Sequence, residues 1–517
     1  MNSSPSRSPL RRTIAKRRSK IRNLLSLAGV ILIFVEITLL RIGISLDGVP
    51  NKEVETPFQK LEADAAQLYR PPDGEFNGIP VYHKEVTAST KPYSLQHCVG
   101  ENYQKQNWMH RSCRFRFLCF DLEAKEFTVF RRPEDDNIRR WSDQVPLMDI
   151  SQTFIRESST VSLGGINLKW GGDGVARLEW FPRIARDPPS NFYALPEDIV
   201  LIPYHSMAGW NPGHLVWDDF LPIYTLMSMF QFEEQHEALM LRYVLPGETL
   251  WASCDTTIKS KECLTIQNKF WPLMMSNYNQ SLPTTQLDVQ LKLYQNEAPR
   301  SNFVCAKNGL AGIGALTDHG TQKLHGWHKE DYQISHNHGR AGLFWNFRTY
   351  CLKNLAIQEE QILDPPYKII FSALSSTNPA RNLDFTKHET ILQRKLDPLE
   401  VTVESHILKD LTLQEQVKLA TQTSIFITGC GGGAVTATFL PKGATLIIFY
   451  NEVGGRVGNK QTNLPARLDW DYFNNLAYIN VHWFPSGTRY NAEDLASFLS
   501  VVRDDLNRRR DRHSMQF

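Results

Sequence analysis

His214 and Asp218 stand four apart in AGWNPGHLVWDDFLPIYTLMSMF, Ala208 to Phe230, with Asp219 beside them. Asn211 and Pro212 read as a helix start, which puts the histidine and the first carboxylate on one helical face. A histidine and carboxylates at a helix N-terminus, after a strand, suit proton transfer or the holding of a sugar hydroxyl. The bland alternative is capping and dipole compensation by the two aspartates, with a core histidine. A second group is the turn made by Gly429, Gly431, Gly432, Gly433 and Ala434. Glycines there let backbone N–H groups approach an anion, and the N-terminus of a following helix adds partial positive charge, which suits a diphosphate. The spacing Gly429-x-Gly431-x-x-Ala434 also fits the relaxed dinucleotide fingerprint, with Glu452 about 20 residues on, where a carboxylate can take ribose hydroxyls. A tight strand-to-helix turn in an ordinary α/β domain gives the same pattern.

The elements that must position these groups follow from hydrophobic spacing. Leu413 to Ala420 has apolar residues at near-helical intervals, and Ser424 to Thr428 is a short apolar run of strand type. Ala434 to Leu440 starts a short helix that Pro441 and Gly443 end, and Ala444 to Tyr450 suits a strand buried on both faces. The unit is βαβ, so a parallel sheet is expected. Upstream, Glu197 to Tyr204 reads as a buried strand, Asn302 to Ala315 as a strand with a glycine turn, Ala341 to Leu355 as an amphipathic helix and Tyr367 to Leu374 as the strand after it. NPARNLDF then places Arg381 in the loop beyond that strand. Ligands of open parallel sheets lie beyond the carboxyl ends of the strands, so Arg381 and the glycine turn should face one crevice, where the arginine can fork onto a phosphate. His319, His325, His328, His336 and His338 crowd one segment, but none are spaced as HxxxH or HExxH, so a solvated loop and no metal site is the expectation.

The chain has 517 residues and a formal charge of +2, enough length for two or three domains and no electrostatic case for a nucleic-acid partner. Its beginning is asymmetric. Residues 1–22 are basic, with no acidic residue, and precede a run rich in Leu, Ile, Val and Phe from Leu24 to Leu40, in which Glu36 is outweighed. Residues 23–46 are therefore read as a transmembrane signal-anchor, and the positive-inside rule keeps the tail cytosolic and the rest luminal. Residues 47–92 read as a stem. The cysteines all lie on the luminal side, where disulfides are permitted, and Cys254 with Cys263 brackets a short polar segment as the candidate pair. Asn279-Gln280-Ser281 is a glycosylation sequon. A single-pass type II Golgi protein, or one of the endoplasmic reticulum, is expected.

Three blocks, in order, resemble glycosyltransferase family 61. NPGHLVWDDFLPIYTL is similar to the family's Asn-x-x-His-x-x-x-Asp helix, KIIFSALSSTNPARNLDF to its strand and arginine loop, and LTLQEQVKLATQTSIFITGCGGGAVTATFLPKGATLIIF to its helix, strand, glycine turn and Leu-Pro-x-Gly end. The family commonly has His-Gly-Ala in the turn where this chain has Cys430-Gly431-Gly432-Gly433-Ala434. The resemblance implies a GT-B-like pair of Rossmann-type α/β domains, here residues 93–360 for the acceptor and 361–485 for the nucleotide sugar, with residues 486–517 as a C-terminal helix. It implies inverting transfer of a sugar, UDP-xylose or UDP-GlcNAc being the expected donors, to a glycan or glycoprotein, with no cofactor and no required metal. The diphosphate would lie on Gly431 to Ala434 and Arg381, the ribose near Glu452, and His214 or Asp218 would be the base with Asp219 orienting. The alternatives are a catalytically inactive glycan-binding or partner protein of the same fold and a luminal dinucleotide-binding oxidoreductase.

Overall fold

The computed structural model describes most residues between 82 and 514. Residues 1–81, 133–155, 243–259, 276–300, 317–331, 374–381 and 451–455, with some shorter stretches, lie outside the described residues. The basic tail, the anchor and most of the stem fall there, as do Cys254, Asn279, Arg381, Glu452 and all the clustered histidines except His338. Among the described residues no helix is long and apolar enough to cross a membrane.

The chain is a mixed α/β structure with parallel strands in both of its large sheets. The first sheet contains β1 (Tyr82–Glu85), β2 (Leu95–Val99), β3 (Ser112–Asp121), β4 (Glu126–Phe130), β7 (Arg183–Ala185), β8 (Asn191–Ala194), β9 (Ile199–Tyr204), β10 (Glu237–Arg242) and β11 (Phe303–Ala311), while β5 (Val161–Asn167) and β6 (Val175–Trp180) form a separate ribbon. β11 is its hub, parallel to β8 and β9 and antiparallel to β3. β1 lies in the stretch read as stem and pairs with β8. Two disulfides cross-link directly opposed residues, Cys98 with Cys113 between β2 and β3 and Cys119 with Cys305 between β3 and β11. They mark an extracellular or luminal domain.

The second sheet is wholly parallel and runs β13 (Val401–His406), β12 (Tyr367–Ser372), β14 (Ile425–Gly429), β15 (Thr445–Tyr450), β18 (Asn480–Pro485), with β16 (Arg456–Val457) and β17 (Lys460–Gln461) as a small hairpin apart from it. Alternate residues of its strands feed two cores. Ile370, Phe426, Leu446 and Ile448 pack with the helix Leu413–Thr421 and the turns around Val435 and Phe439, while Ile369, Phe371, Ile425, Ile447 and Phe449 pack with Leu392 and with Phe498, Val502 and Leu506 of the long C-terminal helix. Helices therefore cover both faces, as continuous apolar strands such as Thr445–Tyr450 require. The first of these cores continues into the first sheet through the helices around Val216 and Phe347. Strand order reverses between β12 and β14, because the chain leaves β12 towards β13 and returns on the other side to β14. Open parallel sheets bind ligands beyond the carboxyl ends of the strands at such a reversal, here those of β12 and β14.

Candidate active site

β9 is buried along its length and ends at Tyr204, and the chain turns into a helix at Asn211. Asn211 is extended, with φ −109° and ψ 116°, and its Oδ1 accepts the Gly213 N–H at 3.0 Å. Pro212 follows at the first helical position, where its missing N–H costs nothing. The helix then widens. Leu215–Phe220 is π-helical, and the Leu221 N–H donates to the Val216 carbonyl before regular turns resume through Met229. Such widened turns are rare and gather at functional sites. Within it, His214 Nδ1 and Asp218 Oδ2 lie 2.7 Å apart, with the two side chains 8% and 4% exposed. A carboxylate can only accept, so Nδ1 is the donor of this bond. Asp219 has a different job: its carboxylate accepts from the Ser206 hydroxyl and pins the wide turn to the end of β9.

β14 brings the glycine turn. Gly431 has φ +126° and ψ −168°, a conformation in effect confined to glycine. The expected short helix is a tight 3-10 helix that starts at Gly432 and runs to Phe439. Its first hydrogen bond is from the Ala434 N–H to the Gly431 carbonyl, 2.8 Å, so the amides of Gly432 and Gly433 precede intrahelical bonding. Gly429 to Gly433 are half-buried, whereas the residues on either side are buried.

These two groups, remote in sequence, touch. A Cβ on Gly432 would come 2.6 Å from Asn211 Oδ1, and one on Gly213 would come 3.4 Å from the Gly432 Cα. Gly432 is therefore the position where the absence of a side chain lets the cap of the His214 helix rest on the turn, while Gly213 is in ordinary contact with it. A third element closes on them, the short helix Arg467–Phe473. The Trp217 ring lies 4.6 Å from Tyr472 and 5.3 Å from Phe473, and burial pushes the Tyr472 phenol well above its ordinary pKa, so it remains protonated. The Cys430 thiol donates to Asp469 Oδ2 at 2.8 Å, and Asp469 is 3% exposed. Arg467 and Asp471 pair at 3.3 Å, and Asp471 also accepts from Asn337 Nδ2 at 2.9 Å and from the Ser335 hydroxyl, so this buried ion pair is supported by further hydrogen bonds.

The structure thus gathers His214, Asp218, Gly429, Gly431, Gly432, Gly433 and Ala434 at one place, with Asp219 directed to Ser206. Cys263 is buried and disulfide-bonded, while Cys254 is outside the described residues. Among the described residues no group of three or more His, Cys, Asp or Glu side chains is placed to hold a metal ion. Sequence reasoning singled out Cys430 in the turn but missed Asp469 and the bond between them. The only signal was Arg467, Asp469 and Asp471 alternating with Leu468, Trp470 and Tyr472, which marks a short segment with several charges to bury. Compared with known proteins, the chain matches no family model and no curated protein sequence.

Proposed function

We propose that the protein is an inverting glycosyltransferase of the GT-B kind, moving a neutral sugar such as xylose or N-acetylglucosamine from a UDP-sugar to a glycan or glycoprotein in the secretory pathway. The observation that carries this reading is the contact between the Asn211–His214 helix start, which bears the His214–Asp218 pair, and the glycine turn at Gly432, the two groups read here as base and diphosphate site. The parallel sheet with its reversal at β12 and β14 supports a nucleotide crevice there.

The chemistry follows from the parts. The amides of Gly431 to Gly433 and the start of the 3-10 helix hold the diphosphate. His214 Nε2 takes the acceptor hydroxyl proton, and Asp218 holds the ring in that tautomer and stabilises the imidazolium that forms. The acceptor oxygen bonds to the anomeric carbon from the face opposite UDP, and the bond to the phosphate oxygen breaks with its electron pair leaving on UDP. The amides meet that growing charge, as the donors of an oxyanion hole do. The dyad refines the expectation of either residue as base: His214 accepts the proton and Asp218 orients it, while Asp219 acts on the scaffold through Ser206.

His214→Ala should lower turnover about 10²–10⁴-fold with nucleotide affinity kept. Near-native turnover of a folded His214→Ala protein would sink the assignment. A second reading, a protein that binds a nucleotide sugar without transferring it, draws on the burial of both dyad members and on a carboxylate, Asp469, tied into the anion turn. UDP binding with neither transfer nor hydrolysis would favour it.

A further inference from the structure

We propose that Tyr472 is a positioning residue: its hydroxyl ties the helix that bears His214 to the 3-10 helix that follows the glycine turn, and so fixes the base relative to the diphosphate site. The inference rests on the transferase reading and deepens it. Asn211 and Gly432 fasten the start of the His214 helix to the turn. The widened part further along, where Asp218 sits, needs a second point of attachment, and Trp217, next to Asp218 in that wide turn, supplies it. Its ring lies 4.6 Å from that of Tyr472 at an interplanar angle of 31°, and Phe344 packs on Tyr472 at 4.9 Å. Tyr472 and Thr438, the latter on the 3-10 helix Gly432–Phe439, are both buried. Trp217 Nε1, Tyr472 Oη and Thr438 Oγ1 are shielded from solvent, and among the described residues none of the three has a hydrogen bond of regular geometry. Thr438 and Trp217 nevertheless act on the phenol: burial raises its pKa, and hydrogen bonding from these two side chains opposes the rise. The three polar atoms therefore have one another as partners, and buried polar groups left unpaired are costly. Donor chemistry allows one order. The indole N–H can only donate, so Tyr472 accepts from Trp217 and gives its own proton to Thr438, directly or through one bridging water.

The test uses two substitutions that remove a hydroxyl and little else, Tyr472→Phe and Thr438→Val, singly and together in the full-length protein, with thermal melting, UDP calorimetry and steady-state turnover on each. Tyr472→Phe keeps the ring packing, so it should fold and bind UDP within about twofold of wild type, while its melting temperature falls by about 1–2 °C and its turnover by about tenfold or more, as a displaced base requires. Thr438→Val should act in the same direction, and the double variant should be little worse than Tyr472→Phe alone, because both substitutions break one connection. An unchanged or raised melting temperature in Tyr472→Phe would show that the hydroxyl joins nothing, and would overturn the proposal without any activity measurement. So would native turnover in the folded variant, strictly additive losses in the double variant, or a parallel loss of UDP affinity and turnover, which is the mark of general damage. A wild-type protein that neither binds UDP nor turns over would instead overturn the transferase reading on which the proposal stands.

Discussion

His214 and Asp218 form a buried hydrogen-bonded pair in which the wrong tautomer should be as damaging as the loss of the base. Asp218→Asn replaces an obligate acceptor with an amide that can donate to Nδ1, shifting the proton to Nε2. Its turnover should fall by a factor similar to that of His214→Ala while UDP affinity stays within about twofold, and steady-state rates beside calorimetry would show whether it does. The glycines make an opposite prediction, in binding. Gly432→Ala sets a methyl 2.6 Å from Asn211 Oδ1, an oxygen already fixed by the Gly213 N–H, so the helix cap must move off the turn. Overpacking of this kind costs about 1–3 kcal/mol. Thermal melting should register the loss, and UDP affinity should drop with it. Gly431→Ala should destabilise by about 1–3 kcal/mol through strain at φ +126°.

The helices and strands around the site were legible because their signals are local. The helix expected over Leu413 to Ala420 is Leu413–Thr421, and Thr412 and Glu415 exchange both bonds of a capping box. Hydrogen bonds from the Thr412 backbone and side chain hold the Glu415 carboxyl below its ordinary pKa. A depressed carboxylate pKa contributes stability above the unfolded value, so this contribution is lost as pH falls through the folded value. Thr412→Ala should lower stability by about 1 kcal/mol at neutral pH, and the difference from wild type in denaturant melts should shrink in acid. The strand Thr445–Tyr450 and the helix from Ala492, with Asn491 Oδ1 accepting the Asp494 N–H at 2.7 Å, were legible for the same reason. What sequence spacing does not carry is the partner of each element. The π-helical turn at Leu215–Phe220 has no period of its own in a run that is apolar almost throughout, and its widening is fixed by Ser206 on one side and the Trp217 contacts on the other. The Cys430–Asp469 bond joins a turn to a helix beyond the next strand, and no spacing rule spans that distance.

At the scale of the molecule, one core runs from the first sheet through the His214 helix into the second sheet, so the candidate base and the glycine turn belong to one packed body. The disulfides reinforce the first sheet, Cys98–Cys113 closing 15 residues and Cys119–Cys305 closing 186. On a loop-entropy argument they are worth about 3 and about 5 kcal/mol. Melting under a strong reductant should therefore shift down by many degrees, and an unchanged melt would show that neither bond constrains the unfolded chain. Burial pushes the Tyr224 phenol up to about 12, helped by the nearby Glu233 charge. A phenol kept neutral in the fold contributes stability below pH 10, the unfolded value, and loses it as pH rises towards 12, so alkaline melts should soften across that window. On the proposed reading, the glycine turn and the His214 dyad form one nucleotide-sugar transferase site. The most direct measurement is calorimetric titration of UDP and UDP-sugars into full-length wild-type, Gly432→Ala and His214→Ala proteins, with sugar release followed on the same samples. A single transferase site should give UDP binding by the wild type, weakened by Gly432→Ala and retained by His214→Ala, with turnover lost in His214→Ala. No UDP binding by the folded wild-type protein, or binding that Gly432→Ala leaves untouched, would contradict it.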